Sequence, residues 1–112
     1  MSTRRAPGRG DVVWITLDPQ IGQEQAGHRP ALVLSPVAYN RRAELALFCP
    51  ITSQAKGYPF EVAIPAGLPV AGVVLADQVR SMDWRGRGAR IFCRLPDGVV
   101  EAVLRRLTRL LA

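Results

Sequence analysis

One short stretch, Glu24-Gln-Ala-Gly-His28-Arg29-Pro30, gathers a carboxylate, a carboxamide, the only histidine of the chain, a guanidinium and a chain-stiffening proline. Packing does not require that density of polar groups beside an apolar run. A loop held by a rigid scaffold is where binding and catalytic groups collect. A second polar segment, Thr52-Ser53-Gln54, follows another apolar run. Together the two segments hold the parts needed to cut RNA without a metal. A base takes the proton of the ribose 2′-OH, and the oxygen attacks the adjacent phosphorus. Cationic donors then stabilise the phosphorane, and an acid protonates the departing 5′-oxygen. Glu24 or His28 can be the base. Arg29 supplies the cation, because a guanidinium stays protonated and cannot itself be the base. Thr52 adds a hydroxyl for phosphate or sugar. The products would be a 2′,3′-cyclic phosphate and a free 5′-OH, and DNA, which lacks the attacking hydroxyl, would be spared.

Each of these residues also has a plainer use. Glu24 and Arg29 can pair across a surface loop for about 0–1 kcal/mol, His28 can be a surface or capping residue, and Thr52 a turn residue. Trp14 and Trp84 read as core anchors rather than base-stacking platforms. Arg85-Gly-Arg87-Gly88 is similar to RNA-binding Arg-Gly segments, though over two steps only. Cys49 and Cys93 lie inside apolar runs, which speaks against thiol catalysis and for buried, reduced thiols.

The frame that must position the polar segments is a series of short strands. β-branched and aromatic residues mark strands at 12–17 and 31–35, with Asp18-Pro19 and Gly22 as turn signals between them. Residues 38–42 are polar and suit one helical turn. A third strand at 45–49 runs into Pro50-Ile-Thr52. A proline there is expected at an edge or a strand exit, which would open Thr52 and Ser53 to solvent. Residues 60–64 alternate as a half-buried strand does, 73–82 is long enough for one bent strand or two, and 89–93 is the last. From Pro96-Asp97-Gly98 the period changes. Val99, Val100, Val103, Leu104, Leu107, Leu110 and Leu111 recur at helical spacing, with Arg105, Arg106 and Arg109 elsewhere. Asp97 is the expected N-cap. The pattern predicts a mainly β protein, a small barrel with a C-terminal amphipathic helix. It forms one domain over 11–112, preceded by a flexible basic tail over 1–10.

The 112 residues carry 15 Lys+Arg against 9 Asp+Glu, a formal charge of +6, and only Lys56 among the basic residues is a lysine. Arginine's planar fork suits phosphates and stacks on bases, so the composition favours a nucleic-acid or acidic-protein partner. The basic start has no apolar stretch of the kind that follows in a secretory signal, and no run approaches a membrane span, so a cytoplasmic protein is expected. One histidine and two distant cysteines do not make a zinc site, and the carboxylates are scattered. No metal and no other cofactor is expected.

The order of the segments carries a resemblance. Gly10-Asp-Val-Val-Trp14, Glu24-Gln-Ala-Gly-His-Arg-Pro30, Ala31-Leu-Val-Leu-Ser-Pro36 and Tyr39-Asn40 resemble the MazF/PemK toxin family in the family's own order. So do Pro50-Ile-Thr-Ser-Gln54, Lys56-Gly-Tyr-Pro-Phe-Glu61 and Leu75-Ala-Asp-Gln-Val-Arg-Ser81 with Trp84. The likeness runs from Gly8 to the final helix and is closest to the MazF branch. It implies the toxin of a type II toxin–antitoxin pair: an SH3-like barrel with added helices, a homodimer, and an mRNA interferase cutting single-stranded RNA at short sequences. It also implies an acidic MazE-like antitoxin as partner. By carry-over Arg29 and Thr52 are the catalytic pair and Glu24 the third catalytic residue. The RNA contacts expected beside them are Gln25, His28, Ser53, Gln54, Lys56, Asp77, Gln78, Arg80, Arg85 and Arg87. Kid-like members carry a His just before the Glu and an Arg two before the Asp of Asp-Gln. Gln23 and Leu75 stand there, which favours Arg29 with Thr52 over a scheme centred on Asp77.

Two other classes are weighed against this one. A CcdB-like toxin shares the fold without catalysis and binds a protein such as gyrase, but it ends Trp-Gly-Ile, whereas this chain ends Arg109-Leu-Leu-Ala112. A non-catalytic SH3-like adaptor needs an aromatic-lined groove, and aromatics make up 6% of the chain.

Overall fold

A computed structural model of the chain describes residues 5–17 and 27–112. Glu24 and Gln25 lie outside the described residues. Seven strands and two helices follow in order: β1 Asp11–Thr16, β2 His28–Val33, α1 Val37–Ala43, β3 Ala46–Thr52, β4 Glu61–Ala63, β5 Val73–Leu75, β6 Arg80–Met82, β7 Arg90–Arg94 and α2 Asp97–Leu111. A single 3₁₀ turn, Ala76–Gln78, separates β5 from β6. The long run at 73–82 is therefore two strands.

Successive residues of the central strands go alternately to two cores. Val12, Leu32, Cys49 and Ile51 enter the first, while Val13, Ile15, Ala31, Val33, Ala46 and Phe48 enter the second. A sheet covered on both faces yields continuous apolar runs rather than alternation. Val99, Val100 and Val103 of α2 fill the first core. Met82, Trp84, Ala89 and Ala6 cover the second.

The sheet does not close into the expected barrel. Its pairing path is β4-β5-β3-β2-β1-β7, with β6 also bonded to β3, so among the described residues β4 and β7 are two open ends. Strand β4 has only three residues, and α2 packs against it and against the 3₁₀ turn. The helix thus occupies the flank where a closing pair would run, and the architecture is an open mixed α+β sheet with a C-terminal helix.

Pro50 is a second departure from expectation: it sits inside a central strand. Ala31, Leu32 and Val33 of β2 face Pro50, Cys49 and Phe48 of β3, and Leu34 N–H donates to Leu47 O at 2.9 Å. Antiparallel bonds alternate, so Pro50 falls at a position that bonds away from β2. On that other edge β6 pairs with 46–48 and β5 with 51–52. The proline's missing N–H therefore meets the 3₁₀ turn between them and breaks no ladder. Thr52, expected to be open to solvent, is 7% exposed.

The described part of the segment expected as a tail, 5–10, lies against the body. Ala6 and Pro7 are buried, and Pro7 O accepts from Asn40 Nδ2 at 2.7 Å. Asn40 is wholly buried and ties four parts of the chain. Its Nδ2 also reaches Ser35 O at 3.0 Å, its Oδ1 accepts from Ser35 Oγ, and its backbone carbonyl accepts Trp84 Nε1–H at 2.9 Å. It sits on α1, which makes two turns instead of the one expected. Pro36 precedes α1, and Arg41 and Arg42 lie in its last turn, where they complement the helix dipole. In α2 the cap position belongs to Pro96. Asp97 is the first helical residue and makes no capping bond.

Candidate functional site

His28 and Arg29 open strand β2 rather than hang in a loop, and Thr52 ends β3 beside them. The β2–β3 register, continued two residues past its last paired positions, sets Arg29 opposite Thr52 on one face. One residue further, His28 stands opposite Ser53 on the other face. On its outer side Arg29 pairs with Ile15 of β1, and His28 pairs with Thr16. The described end of the first polar segment, His28 and Arg29, and the end of β3 at Thr52 thus belong to one sheet.

Thr52 is held from two directions. Its Oγ1 accepts Gln54 N–H at 3.2 Å, a local turn bond that orients the hydroxyl. Its carbonyl is pressed by Gly72, whose φ is +114°. A Cβ there would lie 2.1 Å from Thr52 O, so only glycine permits this approach.

His28, Arg29 and Thr52 line two hollows. The first, about 340 Å³, is lined by Thr52, Gln54, Lys56, Tyr58, Glu61, Leu75, Asp77 and Gln78. Glu61 shapes it by accepting the backbone N–H groups of Lys56 and Gly57, each at 3.0 Å. The second, about 510 Å³, is lined by Trp14, 27–30, Ile51, Ser53, 69–71 and Phe92. Arg29 and Thr52 therefore line different hollows. Along one wall of the second, Trp14 stacks on His28 with centroids 5.5 Å apart and planes 6° from parallel. Trp14 stacks on Phe92 at 5.3 Å and 27°.

The expected site residues thus divide into groups. Thr52, Gln54, Lys56, Asp77 and Gln78 meet in the first hollow. His28, Arg29 and Ser53 meet in the second. Arg80 and Arg87 are drawn elsewhere: they donate to Leu17 O at 3.2 Å and Thr16 O at 3.0 Å, bracing the end of β1. Arg85 is exposed and lies over the Trp84 ring, 5.0 Å from its centroid. Glu24 and Gln25 lie outside the described residues.

The sequence reading missed Trp14, Tyr58, Glu61 and Phe92. Trp14 was expected in the core and is 38% exposed, whereas Trp84 is 1% exposed as expected. No periodic signal marks Trp14, because both its neighbours, Val13 and Ile15, are buried and apolar. Burial, and then the charge of Asp77, push the Cys49 thiol up to about 12, and burial, then Asp11, raises that of Cys93. Neither is a ready thiolate nucleophile. Among the described residues no three His, Cys, Asp or Glu side chains come together as metal ligands, and no helix is long and apolar enough to cross a membrane.

The family model for the PemK-like, MazF-like toxin of type II toxin–antitoxin systems matches residues 8–111. The endoribonuclease toxin MazF of Escherichia coli K12 is 54% identical over 89 residues, 80% of this chain and 79% of that one. Endoribonuclease PemK of Escherichia coli is 37% identical over 107 residues, 92% of this chain and 80% of that one. The crystal structure of MazF from Deinococcus radiodurans superposes with a TM-score of 0.91 at 54% identity, covering 95% of this chain and 96% of that one. A MazE–MazF crystal structure from the same organism gives 0.86 at 54% identity, with the same coverage.

Proposed function

The chain belongs to the PemK-like, MazF-like toxins of type II toxin–antitoxin systems, and we propose that it is an endoribonuclease cutting single-stranded RNA at the lip shared by β2 and β3. What supports this reading is that the β2–β3 register, extended two residues beyond Ala31 and Pro50, would bring Arg29 opposite Thr52, each lining a hollow able to take a nucleotide. Curated relatives over most of the chain's length are endoribonucleases. The scissile phosphate lies between the two side chains.

The fork of Arg29 donates to the phosphorane oxygens, where charge develops. Thr52 Oγ1 already accepts the Gln54 N–H, so its own proton is free to donate to a phosphate oxygen. Glu24 or His28 takes the 2′-OH proton; the stacking of His28 on Trp14, on the face of the strand away from Arg29, favours Glu24. The attacking oxygen bonds to phosphorus as the 5′-oxygen leaves with a proton, giving a 2′,3′-cyclic phosphate and a 5′-OH end. No step draws on a metal. Gln54, Lys56, Asp77 and Gln78 contact the nucleotide in the first hollow. In the cytoplasm such an activity requires restraint. We assign it to an acidic MazE-like antitoxin, attracted by the +6 charge and bound to a toxin homodimer; the similar MazF of Deinococcus radiodurans has been crystallised as MazE–MazF.

Matched RNA and DNA oligonucleotides, incubated with the protein in EDTA, test the reading. RNA cut to cyclic-phosphate ends with DNA intact is expected. Abolition by EDTA with restoration by magnesium would overturn the mechanism. Arg29→Ala should keep the fold and lose about 10²–10³ in rate, and Arg29→Lys should recover only part, since the fork is gone. A wild-type rate in Arg29→Ala would move the chemistry to other residues.

A further inference from the structure

We propose that the aromatic row Phe92–Trp14–His28 is a base-stacking subsite that takes one nucleobase next to the scissile phosphate. The inference rests on the ribonuclease reading above and adds a substrate contact to it. Trp14 of β1 is 38% exposed, whereas Trp84, in the turn after β6, is buried. Its ring is not left loose: Phe92 of β7 and His28 of β2 flank it, with planes 27° and 6° from its own. A row so arranged is stiff and costs little further ordering when another ring joins it.

The position of the row defines what that ring is. Strand order places β3 on the far side of β2 from Trp14, so the exposed end of the row, His28, looks across toward Ser53. The hollow between them has an aromatic wall on one side and Ile51 with 69–71 on the other, and Arg29 lines it too. A flat apolar-faced group tethered to a phosphate fits that combination. Every nucleobase offers a π-face, and stacking on aromatic side chains tolerates any base. Among the described residues, the polar side chains that line the hollow are Ser53, Arg29, His28 and the indole of Trp14. The main contact the row offers a nucleotide is its π-face. The first hollow, with Gln54, Glu61, Asp77 and Gln78, has the donors and acceptors for discrimination.

The test uses a short RNA that the wild-type protein cleaves, with an abasic nucleotide substituted at one position at a time. In the wild type, one position beside the cut should show a raised KM of about 5- to 150-fold, the range expected for one lost stack. In Trp14→Ala and Trp14→Leu the KM for intact RNA should rise by a similar factor, with kcat changed far less, and the abasic substitution should add little more. An all-2′-O-methyl oligonucleotide, which lacks the attacking hydroxyl, should quench wild-type tryptophan emission but leave Trp14→Phe, which reports Trp84 alone, nearly unchanged. If both variants fold and cleave intact RNA with wild-type KM, or the abasic penalty persists in them undiminished, the subsite is refuted. If RNA parameters are unchanged and only binding of an acidic protein inhibitor weakens, the row is a protein-docking surface and the proposal fails. Should either truncation fail to fold, the abasic scan of the wild type and the quenching of Trp14→Phe still decide. If the wild type cleaves no RNA at all, it is the ribonuclease reading that falls.

Discussion

Gly72→Ala should cripple the enzyme while leaving it folded. The residue has φ +114°, and a Cβ built on it lies 2.1 Å from Thr52 O, 2.8 Å from Thr52 C and 3.0 Å from Ser53 Cα. The nearest of these must open by roughly 1 Å to become a van der Waals contact. Neither side yields freely. Gly72 O accepts Ile64 N–H at 2.9 Å, and the next residue, Val73, is paired with Thr52. Thr52 therefore moves, and a displacement of about 1 Å at a reacting centre costs about 10²-fold in rate. The backbone conformation alone costs an alanine about 1–2 kcal/mol. Gly67→Ala isolates that cost, because Gly67 has φ +90° with nothing within 4 Å of its Cβ. Single-turnover cleavage of a fluorogenic RNA and urea unfolding should be measured on both variants. Both should lose stability of the same order, but only Gly72→Ala should lose the rate. If Gly72→Ala cleaves within about twofold of wild type, Thr52 is not fixed by this contact and the account of the lip is wrong.

Two further outcomes follow from buried groups. Asn40→Ala strips Pro7 O and Ser35 O of their donor and Ser35 Oγ of its acceptor. At about 1–3 kcal/mol for each buried group left unpaired, the urea midpoint should fall substantially, and trypsin should cut sooner after Arg5 and Arg9. An unchanged midpoint would contradict the hub role. Cys49 titrates near 9.0 when unfolded and about 12 when folded. Its contribution to stability is whole below pH 9 and drains by about 1.4 kcal/mol per pH unit as pH rises between those values, because only the unfolded state has lost the proton. Urea midpoints between pH 9 and 11 should therefore fall more steeply in wild type than in Cys49→Ala, and parallel curves would refute the assignment.

Local pattern in the chain carried much of this molecule. The helical period from Val99 to Leu111 and the apolar runs around Val12, Leu32 and Phe48 are direct consequences of which faces are buried, and they marked α2 and the central strands. What pattern does not encode is who pairs with whom. Pro50 read as a strand exit because the proline rule assumes a continuous neighbour on each edge, and here the neighbour is interrupted by the 3₁₀ turn at the proline's level. Closure into a barrel depends on β4 and β7 meeting, and no residue in either records that α2 lies between. Of the candidate site, the segments containing Arg29 and Thr52 were legible by their polarity. Their placement at the ends of β2 and β3, strands that pair with each other, emerges only from the sheet. Trp14 was hidden because a large apolar residue among apolar residues carries no mark of which face it takes.

Strand β1 comes first in the chain, yet its two neighbours are β2 and, from the far end of the sequence, β7. The helix that fills the first core comes later still. Contacts between residues so distant form slowly, and a domain emerging from its N-terminus folds as a unit. An endoribonuclease built this way is incomplete until β7 and α2 have been made. Its first strand waits for β7 to leave the ribosome before its second neighbour exists.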